Sequence, residues 1–285
     1  MRACLLLLLA LPAVAAELLN WDSDAEVLAY LERAGSRLVQ NGATTPKRTL
    51  LSQLRRAQCR LELTAAPALV REPAELYSRA RGSVLIVAGV YRCRRCADWH
   101  VTVASGFVVA RNGVAVTNCH VFQSEEPEGF VAMTRNGEVL AVREVLAASE
   151  ADDLAVIQLE LPPTITLEPL PLARGKEAAP VGARISVISH ADSHFYLLTE
   201  GVISRYLDWA VGSRVVPRVG ITADFAVGSS GAPVLNARGE VVAVVCATHT
   251  VFADKTHGKR LPQMTLKLCV PVDRLRALCA SATAR

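Results

Sequence analysis

Residues 104–121 read Ala-Ser-Gly-Phe-Val-Val-Ala-Arg-Asn-Gly-Val-Ala-Val-Thr-Asn-Cys-His-Val. Apolar and β-branched residues fill both halves, and Arg111-Asn112-Gly113 divides them with residues that tolerate a tight turn. The stretch predicts a hairpin, Val101 to Ala110 followed by Val114 to Thr117, that delivers His120 just beyond its second strand. The same texture continues on both sides. β-rich runs cover Ser83 to Tyr91, Glu138 to Val145, Leu154 to Leu161, Arg184 to Ile188, Leu197 to Ile203, Arg218 to Thr222, Ala232 to Leu235, Glu240 to Ala247 and Met264 to Val270. Arg135-Asn136-Gly137 and Ala237-Arg238-Gly239 are further turns. Many short strands with turns between them predict a mainly β chain, a barrel or a sandwich.

Helices are expected only at the two ends. Val27, Leu28, Leu31, Ala34 and Leu38 form one apolar face between Asp22 and about Val39, with Asp22, Ser23 and Asp24 as caps. A second, Arg-rich helix is predicted from Leu50 to Leu61, then a connector punctuated by Pro67 and Pro73, and Pro271 to Cys279 reads as a closing helix. Residues 17–77 are thus a helical extension without a chemical motif, either removable or permanently packed, and residues 78–285 are the β domain. Residues 1–16 carry Arg2, an apolar run and Ala13-Val14-Ala15-Ala16, the pattern of a secretory signal peptide cleaved after Ala16 or one residue earlier. That run is too short to span a bilayer, so the expectation is a periplasmic or secreted protein with no membrane span. The 31 basic and 27 acidic residues are mixed along the chain, without a basic block interleaved with aromatics, so no nucleic-acid partner is expected.

Three short stretches each hold one component of a nucleophilic triad. His120 follows Thr117-Asn118-Cys119, Asp153 opens Leu154-Ala155-Val156-Ile157, and Ser230 sits in Gly228-Ser229-Ser230-Gly231-Ala232-Pro233. A serine hydroxyl is a poor nucleophile until an imidazole takes its proton, and a carboxylate orients that imidazole and stabilises its cation. Backbone N–H groups beside the serine can receive the oxyanion. Asp152 and Ser229 compete for the same roles by position. The order His, Asp, Ser separates the set from α/β hydrolases and subtilisins. Asp254 and His257, the later acid and histidine a hydrolase order would need, are crowded in one loop.

Ser105-Gly106-Phe107-Val108, Thr117-Asn118 with His120-Val121, Asp153-Leu154-Ala155-Val156, Gly201-Val202-Ile203-Ser204 and Gly228 to Pro233 resemble the trypsin-like proteases of the bacterial HtrA/DegP type, over about residues 80–277. The resemblance implies a double β-barrel with the active site in the cleft between barrels, protein or peptide substrates, and an acyl-enzyme mechanism. It places the triad on His120, Asp153 and Ser230 and the oxyanion hole on the N–H groups of Gly228 and Ser230. It also makes Asp224, Val245 and Ala247 the expected substrate-binding residues, because Asp224 precedes Ser230 by the interval at which digestive trypsins carry their pocket aspartate. Ala232 replaces the family's usual second glycine, and Ser229 cannot pair with a newly cut N-terminus. The chain leaves no room for a PDZ domain after Leu278. The competing function is a trypsin-like fold without catalysis that binds peptides.

Loss of Cys4 with the signal peptide leaves seven cysteines, so one thiol at least is left over from intramolecular pairing. Cys93 and Cys96 are expected to form a local disulfide at a hairpin tip, and Cys119 to stay reduced. Cys93, Cys96 and His100 supply three metal ligands without an obvious fourth, so no metal and no cofactor is expected. His100, His190, His194, His249 and His257 read as surface or loop residues.

Overall fold

A continuous apolar run such as Val84-Leu85-Ile86-Val87-Ala88 forms a strand only if both of its faces are covered, and the fold supplies both covers. The computed structural model describes residues 19–63, 70–253 and 261–280. The signal-peptide reading of residues 1–16, and Asp254 and His257, lie outside them. Helix α1 (Asp24–Gln40), helix α2 (Lys47–Gln53), strand β1 (Cys59–Arg60) and helix α3 (Pro73–Ala80) precede the barrels. Strands β2 (Val84–Arg92), β3 (Trp99–Ala110), β4 (Val114–Thr117), β5 (Gly129–Met133), β6 (Val139–Ser149) and β7 (Leu154–Leu159) close one barrel in the order β2-β3-β4-β7-β6-β5. Strands β8 (Arg184–Ser189), β9 (Leu197–Val211), β10 (Arg214–Ile221), β11 (Pro233–Asn236), β12 (Val241–Phe252) and β13 (Pro262–Pro271) close a second, in the order β10-β13-β12-β11-β8-β9. Helix α4 (Val272–Leu278) and strand β14 (Cys279–Ala280) follow. The fold is the double barrel that the resemblance implies.

The period-2 alternation divides β2 between two cores. Leu85 and Val87 point into the first barrel with Val108, Ala115, Phe122 and Phe130. Val84, Ile86, Ala88 and Val90 join the larger core that runs through the second barrel and includes Val27 and Leu31 of α1. Both α1 residues are fully buried, each contributing about 1.5–3 kcal/mol of hydrophobic stabilisation as an upper figure. Ser23 caps α1 by accepting the Glu26 N–H, and Asp24 and Glu26 suit the positive end of its dipole. The extension is therefore part of the packed structure, and β1 is tied to β14 by a parallel pairing of Cys59 with Cys279.

Three features depart from the sequence reading. α2 ends at Gln53, well before Leu61. Pro73 occupies the first turn of α3, where its missing N–H does no harm, although it reads as a connector residue. Strand β5 is fully buried along its length and has no polar alternation to announce it. No helix among the described residues is long and apolar enough to cross a membrane.

Candidate active site

Each predicted triad residue stands at a strand end where the two barrels meet: His120 just after β4 and Asp153 just before β7 in the first, Ser230 just before β11 in the second. After β4, residues Cys119–Phe122 form a single helical turn. Cys119 and Phe122 anchor the turn in the core, so His120 projects outward. Burial pushes the Cys119 thiol up to about 12, so it stays a protonated, unreactive core residue. Ahead of β7 the two aspartates divide their roles. Asp152 is buried and receives two hydrogen bonds from the Arg274 guanidinium of α4, Nε to Oδ1 at 2.9 Å and Nη2 to Oδ2 at 2.8 Å. With that turn anchored, Asp153 takes a left-handed backbone, φ 61°, and aims its carboxylate at His120.

His120 Nδ1 lies 2.7 Å from Asp153 Oδ2, and the His120 backbone N–H donates to Oδ1 at 2.9 Å. A carboxylate on Nδ1 draws the ring proton there, leaving Nε2 free to accept. Nε2 stands 3.1 Å from Ser230 Oγ. Two further donors hold Asp153: Asn118 Nδ2 reaches its carbonyl at 2.7 Å, and the Cys246 thiol on β12 reaches Oδ2 at 3.4 Å. Burial, then the Asp153 charge, push the Cys246 thiol up to about 12, which keeps it a donor. The sequence reading missed Cys246 because a cysteine in an apolar strand looks like core.

The serine turn is clamped from the first barrel by Ser105, fully buried on β3. Its N–H donates to Ser230 O at 2.8 Å and its Oγ donates to Gly228 O at 2.8 Å. Thr117 Oγ1 in turn donates to Ser105 O at 2.8 Å. Ser229 is buried and donates to Ser189 Oγ at 2.9 Å, facing away from His120. Within the turn, Ser229 N–H bonds Ala226 O and Gly231 N–H bonds Val245 O. The N–H groups of Gly228 and Ser230 are not used in this way among the described residues.

Behind Gly228 lies the loop from His190 to Tyr196, where Asp192, Ser193 and Tyr196 all have positive φ. Asp192 N–H donates to Val227 O at 2.6 Å, and His190 N–H donates to Ser105 Oγ at 3.2 Å. Contrary to the sequence reading, His190 is fully buried: it packs edge-on to Tyr196, whose N–H donates to its Nδ1 at 3.1 Å. Burial pulls its pKa down to about 3. Helix α1 secures the loop from outside. Asp24 accepts the Phe195 N–H at 3.0 Å and pairs with His194 at 2.7 Å, while Trp21 packs against Tyr196 under the Arg135 guanidinium.

The expected substrate-binding residues divide differently. Asp224 is 86% exposed and its carboxylate meets Lys267 Nζ at 3.2 Å, so it is not an uncompensated charge at the base of a pocket. Lys267 also donates to Phe225 O and lies over the Phe225 ring. Val245 is buried and holds the serine turn through its backbone, accepting from Gly231 and donating to Ala232, rather than lining the cleft. Ala247 is exposed where the pairing of β12 shifts register between Val245 and Ala247. The partner strand β11 ends its pairing with β12 at Val244, leaving that edge of β12 open beyond it. All seven cysteines among the described residues are free, Cys93 and Cys96 included.

Residues 104–244 match the trypsin-like peptidase domain family. The protein described as "Probable periplasmic serine endoprotease DegP-like" of Hahella chejuensis is 29% identical over 149 residues, 52% of this chain and 30% of that protein. Its namesake in Halomonas elongata is 27% identical over 174 residues, 60% of this chain and 33% of that protein. The chain thus spans about a third of the length of these curated relatives. Among solved structures, "HtrA-type protease AlgW with tripeptide" superposes with a TM-score of 0.54 at 18% identity, covering 70% of this chain and 60% of that one. That likeness is one of fold.

Proposed function

We propose that this chain, whose β-rich part is a trypsin-like peptidase domain of the HtrA/DegP type, is a serine endopeptidase acting outside the cytoplasm. The observation that carries the reading is the unbroken relay from Asp153 through His120 to Ser230, at 2.7 and 3.1 Å, facing a cleft between two barrels.

In this reading Ser230 Oγ attacks the carbonyl carbon of the scissile peptide while its proton moves to His120 Nε2. Asp153 stays ionised and stabilises the imidazolium. The carbonyl oxygen becomes an oxyanion that the N–H groups of Gly228 and Ser230 receive; one such donor is worth about 3 kcal/mol in the transition state. His120 then protonates the leaving amine, the C–N bond breaks, and an acyl-Ser230 ester remains. A water attacks the ester, giving its proton to His120, and the acid leaves as Ser230 regains a proton. The open edge of β12 from Ala247 onward suits a substrate backbone added as one more strand. Because Asp224 is already paired with Lys267, it offers little reward to a basic residue before the cut bond, and the resemblance to HtrA-type proteases favours a small apolar one there.

A serine-directed fluorophosphonate tests the reading on the full chain. The expected result is covalent labelling of Ser230 together with hydrolysis of an unfolded protein substrate. Both should be lost in Ser230→Ala and His120→Ala, a fall on the order of 10⁴-fold or more. Hydrolysis that survives in Ser230→Ala overturns the mechanism. A folded wild-type chain that neither labels nor hydrolyses is a peptide-binding module instead.

A further inference from the structure

The turn joining β2 to β3 takes no part in the triad, yet its groups converge. Cys93 N–H donates to Asp98 O at 2.8 Å and Ala97 N–H to Cys93 O at 3.0 Å, with Ala97 in the left-handed region at φ 61°. Arg92 Nε donates to Ala97 O at 3.1 Å, bracing the turn from its stem. Inside this frame the Arg95 N–H points at Cys93 Sγ, 3.4 Å away. A backbone donor aimed at sulfur favours thiolate. Arg94 and Arg95 lie between the two cysteines and add positive charge to the same turn.

Two residues into β3, His100 turns its Nε2 toward Cys96 Sγ at 3.2 Å. The three ligand atoms, Cys93 Sγ, Cys96 Sγ and a His100 ring nitrogen, all lie within 4.8 Å of one another. A tetrahedral zinc ion with bonds of about 2.0–2.3 Å separates neighbouring ligands by roughly 3.5–3.8 Å, a spacing small side-chain rotations reach here. The other ring nitrogen has a partner as well: His100 Nδ1 stands 3.1 Å from Glu32 Oε1 on α1. A carboxylate behind a histidine fixes its tautomer, directs the free nitrogen to the metal and raises its basicity. None of these four side chains is needed to hold the hairpin, which is already braced by its backbone and Arg92.

We propose that Cys93, Cys96 and His100 form a zinc site at the tip of the β2–β3 hairpin, with Glu32 as the carboxylate behind His100. Water takes the fourth position on the exposed side of Cys96. Two thiolates balance the charge of the ion, so the site is neutral overall. Glu32 joins it to α1, and the ion therefore links the N-terminal extension to the first barrel. The site explains why the pair expected to be a disulfide stands as two free thiols with a histidine beside them.

The test uses the full chain purified under reducing conditions without chelator, and its readout is independent of peptide hydrolysis. Elemental analysis should find one zinc per chain. Replacement by cobalt should give the intense near-ultraviolet absorption of thiolate-to-cobalt charge transfer. Cys93→Ser and Cys96→Ser should abolish that absorption with the circular dichroism unchanged. Glu32→Gln should weaken zinc about 10–100-fold at unchanged stoichiometry. Ser230→Ala should bind like the wild type. Failure of the folded, reduced wild-type chain to take up zinc overturns the proposal, as does a Cys93–Cys96 disulfide in the protein recovered from its exported location.

Discussion

The sharpest test of the oxyanion geometry is Gly228→Ala. Gly228 has φ 90°, and a Cβ built there would lie 2.3 Å from the His190 carbonyl oxygen and 3.3 Å from Asp192 N. Ordinary contact needs roughly 1 Å more. The His190 carbonyl cannot yield, because it accepts the Ser193 N–H at 3.2 Å and belongs to a fully buried residue. Gly228 must therefore move, and its N–H moves with it. A displacement of about 1 Å at a reacting centre costs on the order of 10²-fold, and complete loss of one oxyanion donor costs about 2.7–4 kcal/mol, or 10²–10³ in kcat. The left-handed backbone adds roughly 1–2 kcal/mol of strain, which lowers Tm by about 2–8 °C in a domain of this size. Gly137 separates the two effects: its φ is 89° and nothing lies within 4 Å of the added Cβ. Gly137→Ala should show the strain in its melting curve and leave kcat alone. Steady-state kinetics on a peptide substrate with parallel thermal melts provide the readout. A Gly228→Ala enzyme with kcat within about threefold of wild type would refute the assignment of its N–H to the oxyanion.

Two further outcomes follow from buried groups. Cys246→Ala removes the thiol donor from Asp153 Oδ2 and should lower kcat about tenfold, the worth of one hydrogen bond, while Cys246→Ser restores it; equal kcat in all three would make the contact incidental. His190 is held at about 3 by burial, against an ordinary 6.5, so the unfolded chain binds the extra proton between those values. Stability should therefore fall as pH drops from 6.5 toward 3, by about 1.4 kcal/mol per unit, in urea unfolding. His190→Gln should flatten that slope, and an unchanged slope in the folded variant would assign it elsewhere.

The proposed triad could be read from the sequence because its chemistry fixes residue types and their order. Asp152 and Ser229 could not be dismissed by position alone; their burial against Arg274 and Ser189 is a tertiary fact. Ser105 was quoted in the decisive stretch yet carried no signal of its role, since the two bonds it donates reach residues more than 120 positions away. The interval of Asp224 from Ser230 was visible in the sequence, and its pairing with Lys267 was not. His190 reads as a loop residue because its neighbours are polar in sequence, and only the packing of Tyr196 and Phe195 seals it. Strands on either side of the Asn112-Gly113 turn were read correctly, whereas β5 was missed despite the Asn136-Gly137 turn that follows it, because its five buried residues show no alternation, and the outer halves of β9 and β10 lack an Asn-Gly bracket.

The clasp between Asp24 and the His194–Phe195 segment spans about 170 positions of sequence, and that separation has a meaning in time. A chain emerging from its N-terminus presents α1 first, then His120, then Asp153, all before the loop that α1 secures has been made. Until that loop arrives, Asp24 lacks the partners it has in the folded chain, although Trp21 and the rest of α1 can already pack on the first barrel. The loop in turn has nothing to brace until residues 227–230 follow. The order of the chain thus puts the proposed acid and base early in the sequence, and the proposed nucleophile with its supporting layers late. A chain that stops before residue 227 carries two members of the proposed relay and lacks its nucleophile. In the proposed mechanism, therefore, the relay is complete only when the second barrel stands against the first.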